Sequence, residues 1–369
     1  MVLSYAHMKP SLKARGTLND VAKIVGVSAA SVSYAFSRPH LLSPEVRERI
    51  LAAARSLNYP GPNPAARMLR TGYAGSIAVV YPNPLRRPFE DAAAAAFLEG
   101  VADACGGRFG LLLLQGGEDS LRIIQTAAID GLIVFSMPKD DVTLRTVTDR
   151  ALPMVIVDDP KVPGIPFVGI DEGAAARACA QHLRDLGHQS FGIVTFKLGA
   201  DGHCGFIDRK RVKNSCYGLN RSRVQGYLEV LDNNGSGVSV KLWEWHRSNE
   251  EGGRTAAESL FNEHPRPTAI LAASDRFGIG VIEAARKRQL RLPQDLAVVG
   301  FDGIPAAKLI TPQLTTIYQP MAEKGRLAVA ALLKEKAPMR TKVPTKLVIR
   351  QSSDPALLAP DEEREIDVL

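Results

Sequence analysis

Residues 17–36 read Thr-Leu-Asn-Asp-Val-Ala-Lys-Ile-Val-Gly-Val-Ser-Ala-Ala-Ser-Val-Ser-Tyr-Ala-Phe, and they constrain the fold more than any other stretch. Leu18, Val21, Ala22 and Val25 recur at helical spacing and make one apolar stripe. Thr17 is placed to cap that helix, its hydroxyl accepting from the amide of Asn19 or Asp20, with the Asp20 charge near the positive helix end. Gly26 permits the left-handed turn that ends it. Ser28 then caps a second helix with Val32, Ala35 and Phe36 facing inward. Its outward face carries Ser28, Ala29, Ala30, Ser31, Ser33 and Tyr34. A third helix opens at Ser43-Pro44-Glu45, with Ile50, Leu51, Ala54 and Leu57 as its apolar stripe.

The net charge gathers around these helices. Up to Gly72 there are ten Lys/Arg against three Asp/Glu, a surplus of seven. The whole chain has 46 against 39, also a surplus of seven, so the rest is neutral. A basic helical head on an uncharged body points to DNA. A three-helix bundle that binds nothing has the same geometry, but the local charge opposes it. Small outward residues let a helix enter the ~12 Å major groove. Ala29 and Ala30 cannot make bidentate base contacts and would read DNA by touching thymine methyls or by permitting close approach.

Asn58-Tyr59-Pro60-Gly61-Pro62 breaks the third helix, because proline disfavours α geometry in the residue before it. Asn63-Pro64-Ala65-Ala66-Arg67-Met68-Leu69-Arg70 restarts one, with Asn63 as cap and Arg67 and Arg70 on the last turn. Isolated helices shorter than ~12–15 residues are marginal in water, so this segment is expected to be ordered only against a partner; a plain linker is the alternative. From Gly75 short apolar runs alternate with helical stretches, beginning Ile77–Tyr81, Ala92–Cys105 and Gly110–Leu114. That alternation predicts an α/β fold of parallel sheets covered on both faces, enough for two lobes with a ligand cleft between them.

Thr17-Leu-x-Asp-Val-Ala-x-x-x-Gly-Val-Ser-x-x-Ser-Val-Ser, then Leu-Asn-Tyr, then Pro-Asn-Pro-Ala-Ala-Arg-x-Leu-Arg-Thr-Gly, closely resembles the LacI/GalR family of bacterial transcriptional regulators. The likeness continues through His182-Leu-x-x-Leu-Gly-His188, Ser222-Arg-x-x-Gly-Tyr227, Pro267 to Asp275, Leu296 to Asp302 and Leu314 to Pro320. The resemblance implies a helix-turn-helix head (15–62), a hinge helix (63–72) and a periplasmic-binding-protein-like effector and dimerisation domain (73–353). Its lobes would be approximately 73–170 with 303–331, and 171–302 with 332–353. The acidic end, 354–369, with Asp361-Glu-Glu-Arg-Glu, reads as a solvated tail. It implies double-stranded operator DNA, a small-molecule effector of the sugar or nucleoside class, and a homodimer, with a tetramer left open.

On the DNA side it implies Thr17, Ser28, Ala29, Ala30, Ser31, Ser33, Tyr34, Asn63, Arg67, Leu69 and Arg70, with Leu69 as a minor-groove wedge. On the effector side it implies Phe89, Asp91, Asp171, Arg223, Asn249, Ser274 and Asp302. Bland readings stay open: Arg223 as an ion pair, Asp171 as a cap for the helix at Ala174, and Asp275 as a helix N-cap. The chain departs from the family pattern at Tyr34, where many members place arginine, and by one extra residue in Tyr59-Pro60-Gly61-Pro62-Asn63.

Other classes find little support. The glycines at Gly278-Ile-Gly280 and Gly106-Gly107-x-x-Gly110 lack the context of a nucleotide loop, and no nucleophile elbow, His-Glu-x-x-His or Walker lysine occurs. Neither an enzyme, a cofactor nor a metal is expected. Cys105, Cys179, Cys204 and Cys216 are scattered, which suits reduced thiols. With no signal-peptide core and no apolar run near the ~20 residues of a membrane span, a cytoplasmic protein with no membrane partner is expected. The stretch 197–220 is longer and more polar than a plain strand-to-helix connection, and its role is left open, a flap over the cleft being one reading.

Overall fold

A computed structural model of the chain describes residues 16–82, 84–233, 237–333, 338–357 and 362–368; the side chains of Pro64, Arg67 and Asn233 are outside that description, as is Asp361. The chain divides into a head ending at Ala74 and a body beginning at Gly75.

The head contains α1 (Leu18–Val25), α2 (Ala29–Ser37), α3 (Pro44–Ser56) and α4 (Pro64–Thr71). Val21, Val25, Val32, Ala35, Ile50, Ala53 and Ala54 form its core. Two expected core positions differ. Ala53 is buried where Leu51 is only half-buried, and Phe36 remains 37% exposed. The Phe36 ring instead meets Tyr59 edge-on at 5.8 Å, and a Cβ on Gly61 (φ +108°) would lie 3.0 Å from it. Gly61, within the segment that carries the extra residue, thus lies closely over the end of α2.

The body has two sheets. The first lobe takes β1 (Ser76–Tyr81), β2 (Gly110–Gln115), β3 (Gly131–Phe135), β4 (Met154–Val157) and β5 (Phe167–Gly169). The second takes β6 (Ser190–Phe196), β7 (Gly205–Ile207), β8 (Ser239–Trp245), β9 (Ala269–Ala272), β10 (Ala297–Asp302) and β11 (Thr315–Tyr318). Strand β12 (Arg340–Lys342) returns to the first sheet, and β13 (Thr345–Ile349) and β14 (Arg364–Val368) complete the second. The orders are β12-β5-β4-β3-β1-β2 and β14-β13-β11-β10-β9-β6-β8-β7. The first sheet is parallel throughout; antiparallel pairs occur only at the edges of the second. Fully buried Ile133, Val155, Phe191, Ile193 and Leu271 show why the central strands read as continuous apolar runs.

Three expectations are corrected here. The chain does not change lobes at Asp302: β11 pairs in parallel with β10, and Ile304, Ala307 and Leu314 are buried in the second lobe's core. The crossings lie between Gly169 and Glu172, between Tyr318 and Met321, and between Lys342 and Thr345, so 303–318 belongs to the second lobe and β12 to the first. The acidic end is not merely a solvated tail. Its last described residues form β14 against β13, with Lys346 paired to Glu365 at 2.7 Å and Arg350 to Glu363 at 3.0 Å. Lastly, 197–220 is not all loop: its middle pairs as β7 on the edge of the sheet, while Lys197 and Tyr217 at its ends line the cleft. Arg211 fastens it, bonding Asp201 at 2.7 and 2.9 Å and the buried Glu244.

Candidate functional site

In the head, local capping sets the presented surface. The Asp20 amide donates to the Thr17 hydroxyl at 3.3 Å, and Asp20 accepts from the Thr17 amide at 2.8 Å, which closes a reciprocal box at the start of α1. These bonds hold the Asp20 carboxyl below its ordinary pKa. Ser28 Oγ accepts from the Ser31 amide at 3.0 Å and so caps α2. Ser28, Ala29, Ala30 and Tyr34 are exposed and Ser31 and Ser33 half-buried, giving α2 one face of small polar groups. Arg49 is held internally, donating to the Val25 carbonyl at 2.9 Å.

Asn63 Oδ1 accepts from the Ala65 amide at 2.9 Å and starts α4, which Gly72 ends in the left-handed conformation. Leu69 is 88% exposed, and Arg70 is exposed beside it. A single exposed leucine is ordinary. Here it stands on a two-turn helix whose described side chains are all exposed, so α4 buries no apolar face of its own among the described residues. Arg67 lies on the same helix, its side chain outside the described residues.

In the body, a cavity of about 560 Å³ opens between the lobes. Tyr81, Phe135 and Asp158 line it from the C-terminal ends of β1, β3 and β4. Phe196, Lys197, His246, Arg247 and Asp302 do so from the ends of β6, β8 and β10, and Gln319 and Met321 from the crossing after β11. In parallel sheets ligands bind outside the carboxyl ends of the strands. That rule was the signal available for the lining residues the motifs missed.

Four of the seven expected effector residues come together here: Asp91, Arg223, Asn249 and Asp302. Asp91 and Asn249 also cap helices, accepting from the Ala93 and Gly252 amides, each at 3.0 Å. Three expected residues do not line the cavity. Phe89 is 71% exposed on the short helix Arg87–Glu90. Asp171 caps the helix Glu172–Asp185 through the Ala174 amide at 3.0 Å and pairs with Lys342 at 2.7 Å, so its bland reading is the observed one. Ser274 is 1% exposed and caps the helix Asp275–Lys287 through the Phe277 amide at 3.3 Å. That also displaces Asp275 from the capping role. The histidines of the His182–His188 segment are structural: His182 bonds Ser353 at 2.8 Å and His188 bonds Thr268 at 3.0 Å.

Buried charges lie beneath the cavity. Arg223 bonds Glu172 and donates to the Ala273 carbonyl at 2.5 Å, with its guanidinium 3.5 Å from the Phe301 ring centre. Lys324, fully buried, donates to Asp158 at 2.7 Å and to Gln319 at 2.6 Å. Gln319 in turn donates to Asp302 at 2.7 Å. One glutamine at the crossing thereby links a lysine of the first lobe to an aspartate of the second. Burial drives the Asp302 carboxyl well above its ordinary value against the pull of Arg223, with Asp275 and Asp91 adding to the rise. Burial likewise raises Glu172, opposed by Arg223 and Lys324.

A capped helical head followed by two α/β lobes around a polar cleft defines a DNA-binding regulator built on a periplasmic-binding-protein-like body. Residues 17–63 match the bacterial regulatory proteins of the lacI family, and 180–353 match the periplasmic binding protein-like domain. The chain is 37% identical over 338 residues to the HTH-type transcriptional regulator Rv3575c of Mycobacterium tuberculosis, covering 89% of this chain and 93% of that one. It is 36% identical over 327 residues to the HTH-type transcriptional regulator IpsA of Corynebacterium glutamicum (86% and 91%). It is 29% identical over 328 residues to the ribose operon repressor of Haemophilus influenzae (86% and 91%). Among solved structures, a LacI-family regulator of Corynebacterium glutamicum superposes with TM-score 0.68 at 31% identity over 93% of this chain and 99% of that one. The lac repressor dimer bound to operator and anti-inducer superposes with TM-score 0.72 at 24% identity (92% and 99%), which shows the shared fold.

The chain belongs to the LacI family of transcriptional regulators. It is a regulator and not an enzyme, and no helix among the described residues is long and apolar enough to cross a membrane.

Proposed function

We propose that this protein is an effector-controlled repressor that binds a pseudo-palindromic operator as a dimer. The single observation that carries the reading is the ~560 Å³ cavity lined from both lobes and from the crossing at Gln319. A ligand touching both lobes has different contacts in different lobe arrangements, and only such a difference shifts the equilibrium. Ser28, Ala29, Ala30, Ser31, Ser33 and Tyr34 face the major groove, with Thr17 at the backbone. Asn63 starts the hinge helix, from which Leu69 enters the minor groove with Arg67 and Arg70 near it.

Asp91, Arg223, Asn249 and Asp302 favour a polyhydroxylated small molecule, because convergent carboxylate, amide and guanidinium groups match hydroxyl donors and acceptors. The name of the ribose operon repressor among the relatives supports the sugar class. The test is operator binding by fluorescence anisotropy with and without sugars and nucleosides, alongside a thermal-shift screen. A ligand that raises the melting temperature and also changes operator affinity supports the proposal. Ligands that bind without moving operator affinity refute the coupling.

A further inference from the structure

The second lobe's cations around the cleft fall into two groups. Arg223, Arg254 and Arg276 are already committed, to Glu172 at 2.7 Å, Glu283 at 2.5 Å and Glu250 at 2.8 and 2.9 Å. Lys197 is not held in this way, and Arg247 is held more loosely. Lys197 Nζ sits 4.9 Å from the centre of the Tyr217 ring, and no carboxylate lies within ion-pair distance of it among the described residues. Arg247 reaches Glu251 through Nη2 at 3.4 Å, while its Nε is buried without an acceptor. The Tyr81 hydroxyl, in the first lobe's wall of the same cavity, is also buried without a partner.

Arg87 lines the cavity from the first lobe, whereas Lys197, His246 and Arg247 line it from the second. Burial lowers the pKa of Lys197, and the charge of Arg87 lowers it further. Burial likewise lowers Arg87, with Arg247 and Arg86 adding to it. Asp141 acts on Lys197 and Glu90 on Arg87 in the opposite sense, as smaller influences. His246 Nδ1 faces Cys204 Sγ at 3.1 Å. Cations of both lobes share this cavity with carboxylates of both, Asp91, Asp158 and Asp159 of the first and Glu250, Glu251 and Asp302 of the second.

We propose that the effector is a phosphorylated polyhydroxy compound, its phosphate held by Lys197 and Arg247 of the second lobe. The inference rests on the reading of this cleft as the effector site and deepens it. A phosphate dianion offers charge and several acceptor oxygens together, matching guanidinium and ammonium donors. The Tyr81 hydroxyl donates to an oxygen of the ligand. A ligand held by Lys197 and Arg247 of the second lobe and by Tyr81 of the first touches both lobes, so it favours the arrangement in which both contacts are made. Asp91, Asn249 and Asp302 remain to hold the hydroxyls.

The test uses the full-length chain and inorganic phosphate as probe, at an ionic strength fixed with sodium chloride, with acetate in parallel. Calorimetric titration is expected to show phosphate binding that weakens at least tenfold in Lys197→Gln and in Arg247→Gln, circular dichroism confirming that both variants fold. Equal phosphate affinity in the wild type and both variants overturns the site, as does no phosphate binding by the wild type. Acetate binding as tightly as phosphate overturns the phosphate assignment. Operator anisotropy separates the two readings. Lys197-dependent phosphate binding that leaves operator affinity unmoved keeps the anion site and rejects effector control. A neutral sugar that shifts operator affinity while phosphate does not bind does the reverse.

Discussion

One carboxylate oxygen of Glu172 accepts from both Nε and Nη2 of Arg223, at 2.8 and 2.7 Å. Glu172 stands where the chain first enters the second lobe, and Arg223 belongs to the helix Gly218–Asn233 packed against it. The guanidinium also lies over Phe301 and reaches toward Asp302 at 3.8 Å. Arg223 therefore enters the cleft wall already fixed, and a ligand there meets a guanidinium whose rotamer cost has been met in folding.

Removing one member of such a buried pair leaves the other uncompensated, at a cost of ~3–5 kcal/mol. Glu172→Ala should therefore lower the urea midpoint of the body strongly, and more than Glu172→Gln, which keeps an acceptor for Arg223. A variant that unfolds at the wild-type midpoint would show that the pair anchors nothing.

Leu69 is 88% exposed, so shortening it removes no core contact. Leu69→Ala should leave thermal stability within about 0.5 kcal/mol, as surface substitutions usually do. In a gel-shift titration it should weaken operator binding by roughly tenfold, or about 1.4 kcal/mol. Unchanged operator affinity would refute the minor-groove wedge.

Asp275 is buried among Thr316, which donates to it at 2.5 Å, and the Ile304 amide at 2.8 Å, and burial pushes its carboxyl up to about 7 from an ordinary 3.8. Between those values the folded chain holds a proton that the unfolded chain has released. This contribution is thus fully present below the unfolded value and is lost as pH rises through about 7. Asp275→Asn keeps an acceptor for Ile304 and removes the titration. Melting temperatures from pH 4 to 8 should show the wild type losing stability relative to the variant as pH rises; parallel curves would contradict this.

Gly280 and Gly253 let the helices Asp275–Lys287 and Glu250–Leu260 pack backbone to backbone. A Cβ at Gly280 would lie 2.0 Å from the Glu250 carbonyl oxygen, and one at Gly253 would lie 2.1 Å from that of Phe277. Gly280→Ala should destabilise the body by ~1–3 kcal/mol through overpacking, despite the better helix propensity of alanine. A neutral or stabilising result in chemical denaturation would mean the helices separate freely.

Features set by near neighbours were legible in the sequence. The caps Thr17, Ser28, Ser43 and Asn63, the glycine stop at Gly26 and the apolar strands from Ile77 onward depend on residues a few positions apart. Asp91, Arg223, Asn249 and Asp302 were found through the family resemblance and do line the cleft. Phe89, Asp171 and Ser274 do not line it, because being near a strand end does not fix where a side chain lies. Lys197, His246 and Arg247 gave no motif, although their position just after β6 and β8 obeys the carboxyl-end rule for parallel sheets.

By itself the sequence determined a capped helical head carrying the charge and a body of alternating strands and helices, since periodicity and capping act over one or two turns. Tertiary structure alone decided that 303–318 stays in the second lobe, that the acidic end becomes β14, and that Arg223 belongs to Glu172. It also decided that Lys324 reaches Asp158 across 166 residues of chain. Those outcomes rest on partners far apart in the chain, whose pairing is fixed only when the sheets form and bury the charges between them. The physical reason is that a buried charge must find its counter-charge in space, and sequence order does not say where that will be.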